Sequence, residues 1–401
     1  MHRLISKITI TQVPSTSYPT RDEVFILRFV NNIEIASSWQ NLTDTCKITL
    51  PKKVYLNDGE GNKINWFGKS IIGSDDSVPV ILRGDKIRIE LGYNYPTADL
   101  EEVEEMNICF DGYITKINPK MPITLECEDR MWQLKQIKTP NKVFLNTEYS
   151  VQSMVREMLD AQDSTKDITL ITGSLIGQKI ETNINAEFRT QDDTIGSVLS
   201  RLKKEARLNS YFRNVLQQDG TYKSELRCSG IVYYPSDRET KVFGFQKNII
   251  SDDLEFKRVE DIKLGATCYS INKIELTTTN KNGNKKTKHQ RLETFVGEPD
   301  GELRTLYFWD IQTVDELKEL GKRELRKFYY TGFSGKFTTF GLPKVKHGDE
   351  VVLIDDILPE RNGSYLVKAV RTTFGQEGFR QEIELHLKLS EFTADEIANG
   401  L

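Results

Sequence analysis

The chain has 401 residues, with 55 Lys and Arg against 59 Asp and Glu and a formal net charge of −4. At roughly 150 residues per domain this length predicts two to three domains, enough to bury a core without disulfide staples. Apolar residues make up 38%, too many for disorder as the main state, and no run approaches the ~18 apolar residues of a membrane-spanning helix. The near-neutral balance lacks the basic domain or stripe of a dedicated nucleic-acid binder.

The start, Met1 to Ile8, runs straight into an alternating pattern, with neither an apolar leader core nor a small-residue cleavage site. Period-2 alternation then predicts strands at Val24 to Val30, Cys46 to Leu50, Lys86 to Leu91 and Ile123 to Glu128. Turn chemistry falls between them at Asn57-Asp58-Gly59, Gly61-Asn62, Gly73-Ser74-Asp75 and Asn118-Pro119. Residues 1–138 therefore read as a β-rich domain, closed or sandwiched to protect its edges.

The period changes in 139–245, which reads as a small α+β module. Ser150 is placed to cap a helix with Val151, Met154, Val155, Met158 and Leu159 on one face, and a second helix follows Asp192-Asp193-Thr194 with Ile195, Val198, Leu199 and Leu202 inward. Strands return in 246–401, interrupted by one helix. Thr313 and Glu316 form a capping-box pattern at its start, Leu317, Leu320, Leu325 and Phe328 are expected to face inward, and Lys322, Arg323, Arg326 and Lys327 suit its negative end. Asn282-Gly283 marks a hairpin whose tip carries Lys281, Lys285, Lys286, Lys288, His289 and Arg291; with no aromatic residue interleaved, this reads as a solvated tip rather than a nucleic-acid site.

Laying the two β regions side by side shows a repeat. Arg83-Gly84-Asp85-Lys86-Ile87-Arg88-Ile89 matches His347-Gly348-Asp349-Glu350-Val351-Val352-Leu353, Tyr113 to Lys116 matches Tyr365 to Lys368, and Ile123 to Leu125 matches Ile383 to Leu385, all in the same order. The fold class so read is β-rich α+β: two similar β-barrel domains, 1–138 and 246–401, with the 139–245 module between them.

Catalytic and metal motifs are not found. His2, His289, His347 and His386 stand near no nucleophile elbow, zinc helix or Cys-His arrangement, and His386, alternating with Leu385 and Leu387, should face the polar side of its strand. Cys46, Cys109, Cys127, Cys228 and Cys268 are odd in number and widely spaced, so they read as buried free thiols. Asp99 to Glu105 carries five acids without a calcium-loop register and reads as a self-repelling surface loop. Gly332-Phe333-Ser334-Gly335 opens no phosphate-binding helix. The expectation is therefore no catalytic residue, no cofactor and no metal.

Three stretches carry a family resemblance. Asn32 to Lys53 resembles the opening of tail hub proteins of phages and phage-like injection systems; Thr194 to Leu199, followed by Leu208 and Tyr211-Phe212-Arg213, resembles their middle module; and Gly363 to Phe374 with Gly378 to Leu385 is similar to the end of the late control protein D and baseplate hub group. The resemblance covers almost the whole chain through degenerate strand patterns. It implies tail-tube-like barrels and a homotrimeric ring in which three chains of two barrels give six stations, joining a hexameric tail tube protein to a trimeric spike or tip protein among other baseplate proteins. It implies a lumen passing DNA or a tape-measure protein, which should avoid clustered Lys and Arg, and a place in the virion tail after assembly in the bacterial cytoplasm. With the chain stopping at Leu401, any lysozyme or spike activity is expected on partner proteins. Two other classes stay open on the residues themselves: a β-rich surface or carbohydrate-binding protein, and a glycan hydrolase with scattered carboxylates.

Overall fold

Alternating side chains build a single large sheet. In Lys86–Pro96 the residues Ile87, Ile89 and Leu91 are buried and their neighbours turn outward; in Gly378–Lys388 the buried set is Phe379, Gln381, Ile383, Leu385 and Leu387. Each such aliphatic side chain contributes about 1.5–3 kcal/mol on burial. A computed structural model describes residues 3–51, 55–57, 63–65, 79–96, 102–145, 148–171, 187–206, 208–216, 222–229, 240–279, 285–309, 311 and 313–389. The predicted turns at 58–62 and 73–75 and the hairpin turn at Asn282-Gly283 lie outside these residues.

The sheet has 15 strands. From Ile249–Lys257 it runs through Gly332–Phe340, Gly378–Lys388 and Gly363–Gly375, then crosses to Asn32–Ser38. It continues through Thr45–Thr49, Thr124–Asp129, Glu102–Asn118, Lys86–Pro96, Arg3–Thr11 and Val24–Leu27 to Tyr55–Asn57 and Lys63–Asn65. Glu350–Ile354 branches from Gly363–Gly375 and carries Thr240–Gly244 beside it. The closed barrels expected from the sequence are not found: among the described residues the path is open, because one half of Gly363–Gly375 pairs with Glu350–Ile354 and the other half with Asn32–Ser38.

The repeat is written in the hydrogen bonds. Gly84 and Gly348 hold φ at +96° and +82°, a left-handed conformation that favours glycine. The Gly84 N–H donates to the Ile114 carbonyl at 2.7 Å and the Gly348 N–H to that of Val367 at 2.8 Å. Ile114 and Val367 donate back to the carbonyls of Asp85 and Asp349, each at 2.9 Å. The carboxylates of Asp85 and Asp349 accept from the backbone N–H groups of Leu82 and Lys346, three residues earlier, at 2.7 and 2.9 Å. Across the ladders Ile87 lies opposite Gly112 and Val351 opposite Tyr365, so Ile87 and Val351 are equivalent. A one-residue bulge follows both Ile114 and Val367.

This register corrects the sequence alignment downstream. Ile114 corresponds to Val367, not Leu366, and Leu125 to Ile383, not Leu385. The two tyrosines are not equivalent: Tyr365 corresponds to Gly112. Tyr113 sits on the outer side against Trp132 at 5.3 Å, whereas Tyr365 is fully buried, and a one-residue slip swaps faces.

The module's helices form as expected. Ser150 Oγ accepts from Ser153 N–H at 3.1 Å and Ser153 Oγ accepts from Ser150 N–H at 2.9 Å, opening the helix Val151–Asp160. Its apolar face packs with Ile195, Val198, Leu199 and Leu202 of Ile195–Ala206 in one core. A further layer is inserted between Ile249–Lys257 and Gly332–Phe340: a three-stranded sheet of Lys285–Gly297, Leu264–Thr279 and Glu302–Trp309, covered by the helix Val314–Arg326. Thr313 caps that helix by accepting from Glu316 N–H at 3.2 Å, and Leu317 and Leu325 are buried. At Gly321 the helix approaches so closely that a Cβ would stand 2.5 Å from Cys268 Sγ. Phe328 departs from expectation, being 41% exposed beneath the Arg304 guanidinium at 4.0 Å. Glu102 to Glu105, expected in a loop, instead pair as strand against Tyr93 to Pro96; Asp99 to Glu101 lie outside the described residues.

Asp85 also meets Arg21 in a two-pronged ion pair, at 2.9 and 2.6 Å, with both side chains 1% exposed. Removing one partner leaves a buried uncompensated charge. Asp85→Ala is expected to cost about 3–5 kcal/mol, read as loss of hydrogen-exchange protection along Lys86–Pro96, whereas Asp356→Ala, at the exposed pair with Lys247, should change it by less than about 1 kcal/mol.

Candidate functional site

The two copies and the module meet around a cleft of about 700 Å³. Lys86 and Arg88 come from Lys86–Pro96, Asp111 and Tyr113 from Glu102–Asn118, Arg213 and Asn214 from Asn209–Leu216, Lys223 from Tyr222–Ser229, and Lys344 to His347 from the segment leading into the second Gly-Asp turn. Seven cationic side chains line it against four carboxylates. The arginines are engaged: Arg88 with Asp111 at 2.8 Å, Arg130 with Asp167 at 2.6 Å, and Arg213 with Asp349 at 2.7 Å. Burial works against the Asp167 carboxylate, yet the Arg130 guanidinium holds it below the usual carboxylate range.

The lysines differ. Lys344 Nζ donates to the Ile108 carbonyl, and burial pushes its ammonium below the ordinary lysine value. Lys346 Nζ donates to the Asn214 carbonyl at 3.2 Å. His347 is 4% exposed, edge-on to Tyr211 at 4.8 Å, with Nε2 3.7 Å from Asp44 Oδ2. Its Nδ1 is buried and, among the described residues, has no hydrogen-bond partner. Asp129, also lining the cleft, is pushed well above the carboxylate range by burial and then by the charge of Asp44. It accepts from the backbone N–H groups of Asp44 and Met131 at 3.2 and 3.0 Å.

The residues weighed from sequence fall in scattered places. His347 joins the cleft. His386 alternates as expected, but its side of the strand is covered: Trp39 meets it edge-on at 5.0 Å, and burial, then Lys327 and Lys368, push its pKa down to about 4. His2 and the His289 side chain lie outside the described residues. None of the five cysteines is in a disulfide; Cys46 faces Cys127 across two paired strands, Cys109 is half-buried, and burial raises the thiol pKa of Cys46, Cys109, Cys127 and Cys228. Gly332–Phe340, holding the Gly332-Phe333-Ser334-Gly335 stretch, is a strand. Among the described residues no group of three or more His, Cys, Asp and Glu could hold a metal ion, and no helix is long and apolar enough to cross a membrane. Sequence reading passed over Lys344, Lys346, Asp44 and Asp129. Their signal was the position of the two lysines just before the repeated Gly-Asp turn, where the first copy has Val80 and Leu82.

No family model and no curated protein matches the chain. Its fold is nonetheless that of phage tail proteins, which bears out the resemblance read from the sequence at the level of architecture. A tail protein from Neisseria meningitidis MC58 matches with a TM-score of 0.56 at 13% identity, over 99% of each chain. The 43 kDa tail protein of prophage MuSo2 from Shewanella oneidensis matches with a TM-score of 0.55 at 12% identity, over 95% of this chain and 98% of that one. A chain of the half-lidded Francisella PdpA–VgrG complex matches with a TM-score of 0.52 at 11% identity, over 98% of this chain and 59% of that one.

The covered His386 has a consequence for stability. Its folded pKa of about 4 lies below the unfolded value of about 6.5, so between these limits the unfolded chain binds more protons and stability falls as pH falls. Chemical unfolding at a series of pH values should show this loss setting in below about pH 6.5 and levelling near 4, and His386→Phe should flatten that part of the profile.

Proposed function

We propose that the chain is a structural hub subunit of a phage tail or phage-like injection apparatus: three copies form a ring with pseudo-sixfold symmetry that joins a hexameric tail tube to a trimeric spike or tip. The observation that carries this reading is the seam between the two copies. Asn32–Ser38 pairs with the far half of Gly363–Gly375. In the second copy the place of Asn32–Ser38 is taken by Ile249–Lys257, and in the first copy the place of Gly363–Gly375 is taken by Glu102–Asn118. Among the described residues Ile249–Lys257 has one strand neighbour, Gly332–Phe340, and the Thr115 to Asn118 end of Glu102–Asn118 pairs along one edge.

Repeating the internal seam from chain to chain therefore closes both edges with one kind of contact. Such heterologous contacts give rings when the rotation closes, and closure removes edges that a free chain must otherwise protect. Two stations per chain times three chains match a hexameric tube. The units assigned to this design are 1–138 and 246–401 as tube-like stations and 139–245 as the module between them. Its partners are the tube protein, the spike or tip protein and other baseplate proteins, with DNA or a tape-measure protein passing through the lumen. The match to a chain of the PdpA–VgrG complex supports the spike side of this assignment. The role is structural, in the virion tail or baseplate, with assembly in the bacterial cytoplasm.

Imaging of assembled particles and mass measurement in solution test the proposal. The expected result is a trimer at the tip of the tube, each interface burying at least ~1,000 Å². A dimer, an open filament, or a particle with another chain at that place would refute it.

A further inference from the structure

The inserted layer has two unlike faces. One is packed beneath the helix Val314–Arg326 through Ala266, Cys268, Val296 and Phe308. The other is open, where a half-solvated sheet ordinarily places polar side chains, yet it carries Phe295 at 40%, Tyr307 at 55% and Leu303 at 65% exposure. A contiguous exposed apolar patch marks a binding surface. Gly265 makes this one flat. A Cβ there would stand 2.6 Å from the tip of the Phe295 ring and 3.1 Å from Leu303 Cδ2, so both side chains lie across the sheet over the glycine. Beside them Tyr269 and Tyr307, opposite each other on paired strands, have rings 5.6 Å apart and 29° from parallel. The Arg291 guanidinium lies over Tyr269 at 4.0 Å and is 3.5 Å from the Glu293 carboxylate.

Size and charge decide the occupant. From Gly265 to Tyr269 the platform runs about 13 Å, and its outer strands are about 10 Å apart, far short of the ~800 Å² per side of a stable protein interface. Arg291 and Glu293 cancel, so the platform lacks the positive groove of a single-stranded nucleic-acid site. What fits is a flat, neutral ligand rich in hydroxyls. A β-linked gluco-configured sugar has equatorial hydroxyls and flat faces of axial C–H bonds, which pack on the negative face of an aromatic ring. We propose that this platform binds consecutive units of a neutral β-1,4-linked glucan-type polysaccharide. Phe295, Leu303 and Tyr307 lie under the sugar rings, Arg291 donates to their hydroxyls and Glu293 accepts from them. The site lies within one chain, so it is complete in a monomer and does not rest on the ring.

Calorimetric titration of the full chain with cellotetraose, and separately with its α-linked isomer maltotetraose, tests this. Cellotetraose is expected to bind, and maltotetraose, whose curved chain cannot lay successive rings on one plane, about tenfold more weakly. Tyr307→Ala removes an exposed ring and should weaken cellotetraose about tenfold. If Tyr307→Ala lowers the folded fraction, Glu293→Gln, at an exposed position, decides in its place and should weaken binding about threefold or more. Absence of cellotetraose binding by the wild-type chain, maltotetraose binding as tight, tighter binding of a deoxythymidine octamer, or unchanged affinity in the deciding folded variant would overturn the proposal.

Discussion

The pairing of Asn32–Ser38 with Gly363–Gly375 is the contact on which the rest of the architecture depends. Seven residue pairs join a strand near one end of the chain to one near the other. The joint is tied further by Trp39 Nε1 donating to the Val367 carbonyl at 3.3 Å and Tyr93 donating to that of Phe379 at 3.1 Å. Phe374 and Phe379 belong to the hydrophobic core of the first copy, and Trp39 to that of the second. Neither core is complete without the other. Closing a loop of more than 300 residues costs little more than closing one half as long, because the entropy grows only logarithmically, so a few apolar side chains exchanged across the seam suffice to hold it.

Within this frame the two copies solve one problem with different parts. Both Gly-Asp turns need a cation over their buried aspartate. The first takes Arg21 from its own loop, and the second takes Arg213 from the module strand Asn209–Leu216. Arg213 also donates to the His347 carbonyl at 3.2 Å. The module is thereby keyed to the second copy by the same interaction that is purely internal in the first. The second copy also replaces the short hairpin between Asn32–Ser38 and Thr45–Thr49 with a whole sheet-and-helix layer between Ile249–Lys257 and Gly332–Phe340.

Local signals were legible where one residue decides. Ser150, the Gly-Asp turns and the alternating strands were all readable, because caps, left-handed turns and half-buried sheets each have a short-range cause. What was not readable depended on register. The bulges after Ile114 and Val367 add a residue without changing composition, so matching Tyr113 to Tyr365 by identity placed an outward ring on a buried one. That the sheet path is open among the described residues was hidden for a related reason: nothing in the alternation of Gly363–Gly375 states that half of it pairs elsewhere. The cleft was the least legible feature, since its lysines, His347 and Asp44 lie far apart in the chain and are brought together by the seam. His386 illustrates the limit from the other side: alternation placed it outward, and Trp39, arriving from the other copy, covered it.

The two uses of the seam in the proposed ring are not equal, and the sequence accounts for the difference. Gly363–Gly375 runs uninterrupted to its end, whereas the equivalent strand Glu102–Asn118 is followed by Pro119 and, beyond Met121, by Pro122. Proline cannot donate to a ladder and confines pairing at that edge to the residues before it. The facing strand, Ile249–Lys257, carries Asp252, Asp253 and Glu255 on exposed positions, a common protection of an open edge. The contact inside the chain is therefore long and shares its cores, while the one proposed between chains would be short, with acids along it. Met121, 60% exposed just past the shortened strand, and Ile250, 44% exposed on the facing strand, are exposed apolar groups at these two edges. Such a pairing favours a chain that folds completely first and joins its neighbours afterwards, the order in which a ring can close without its subunits aggregating through half-formed edges.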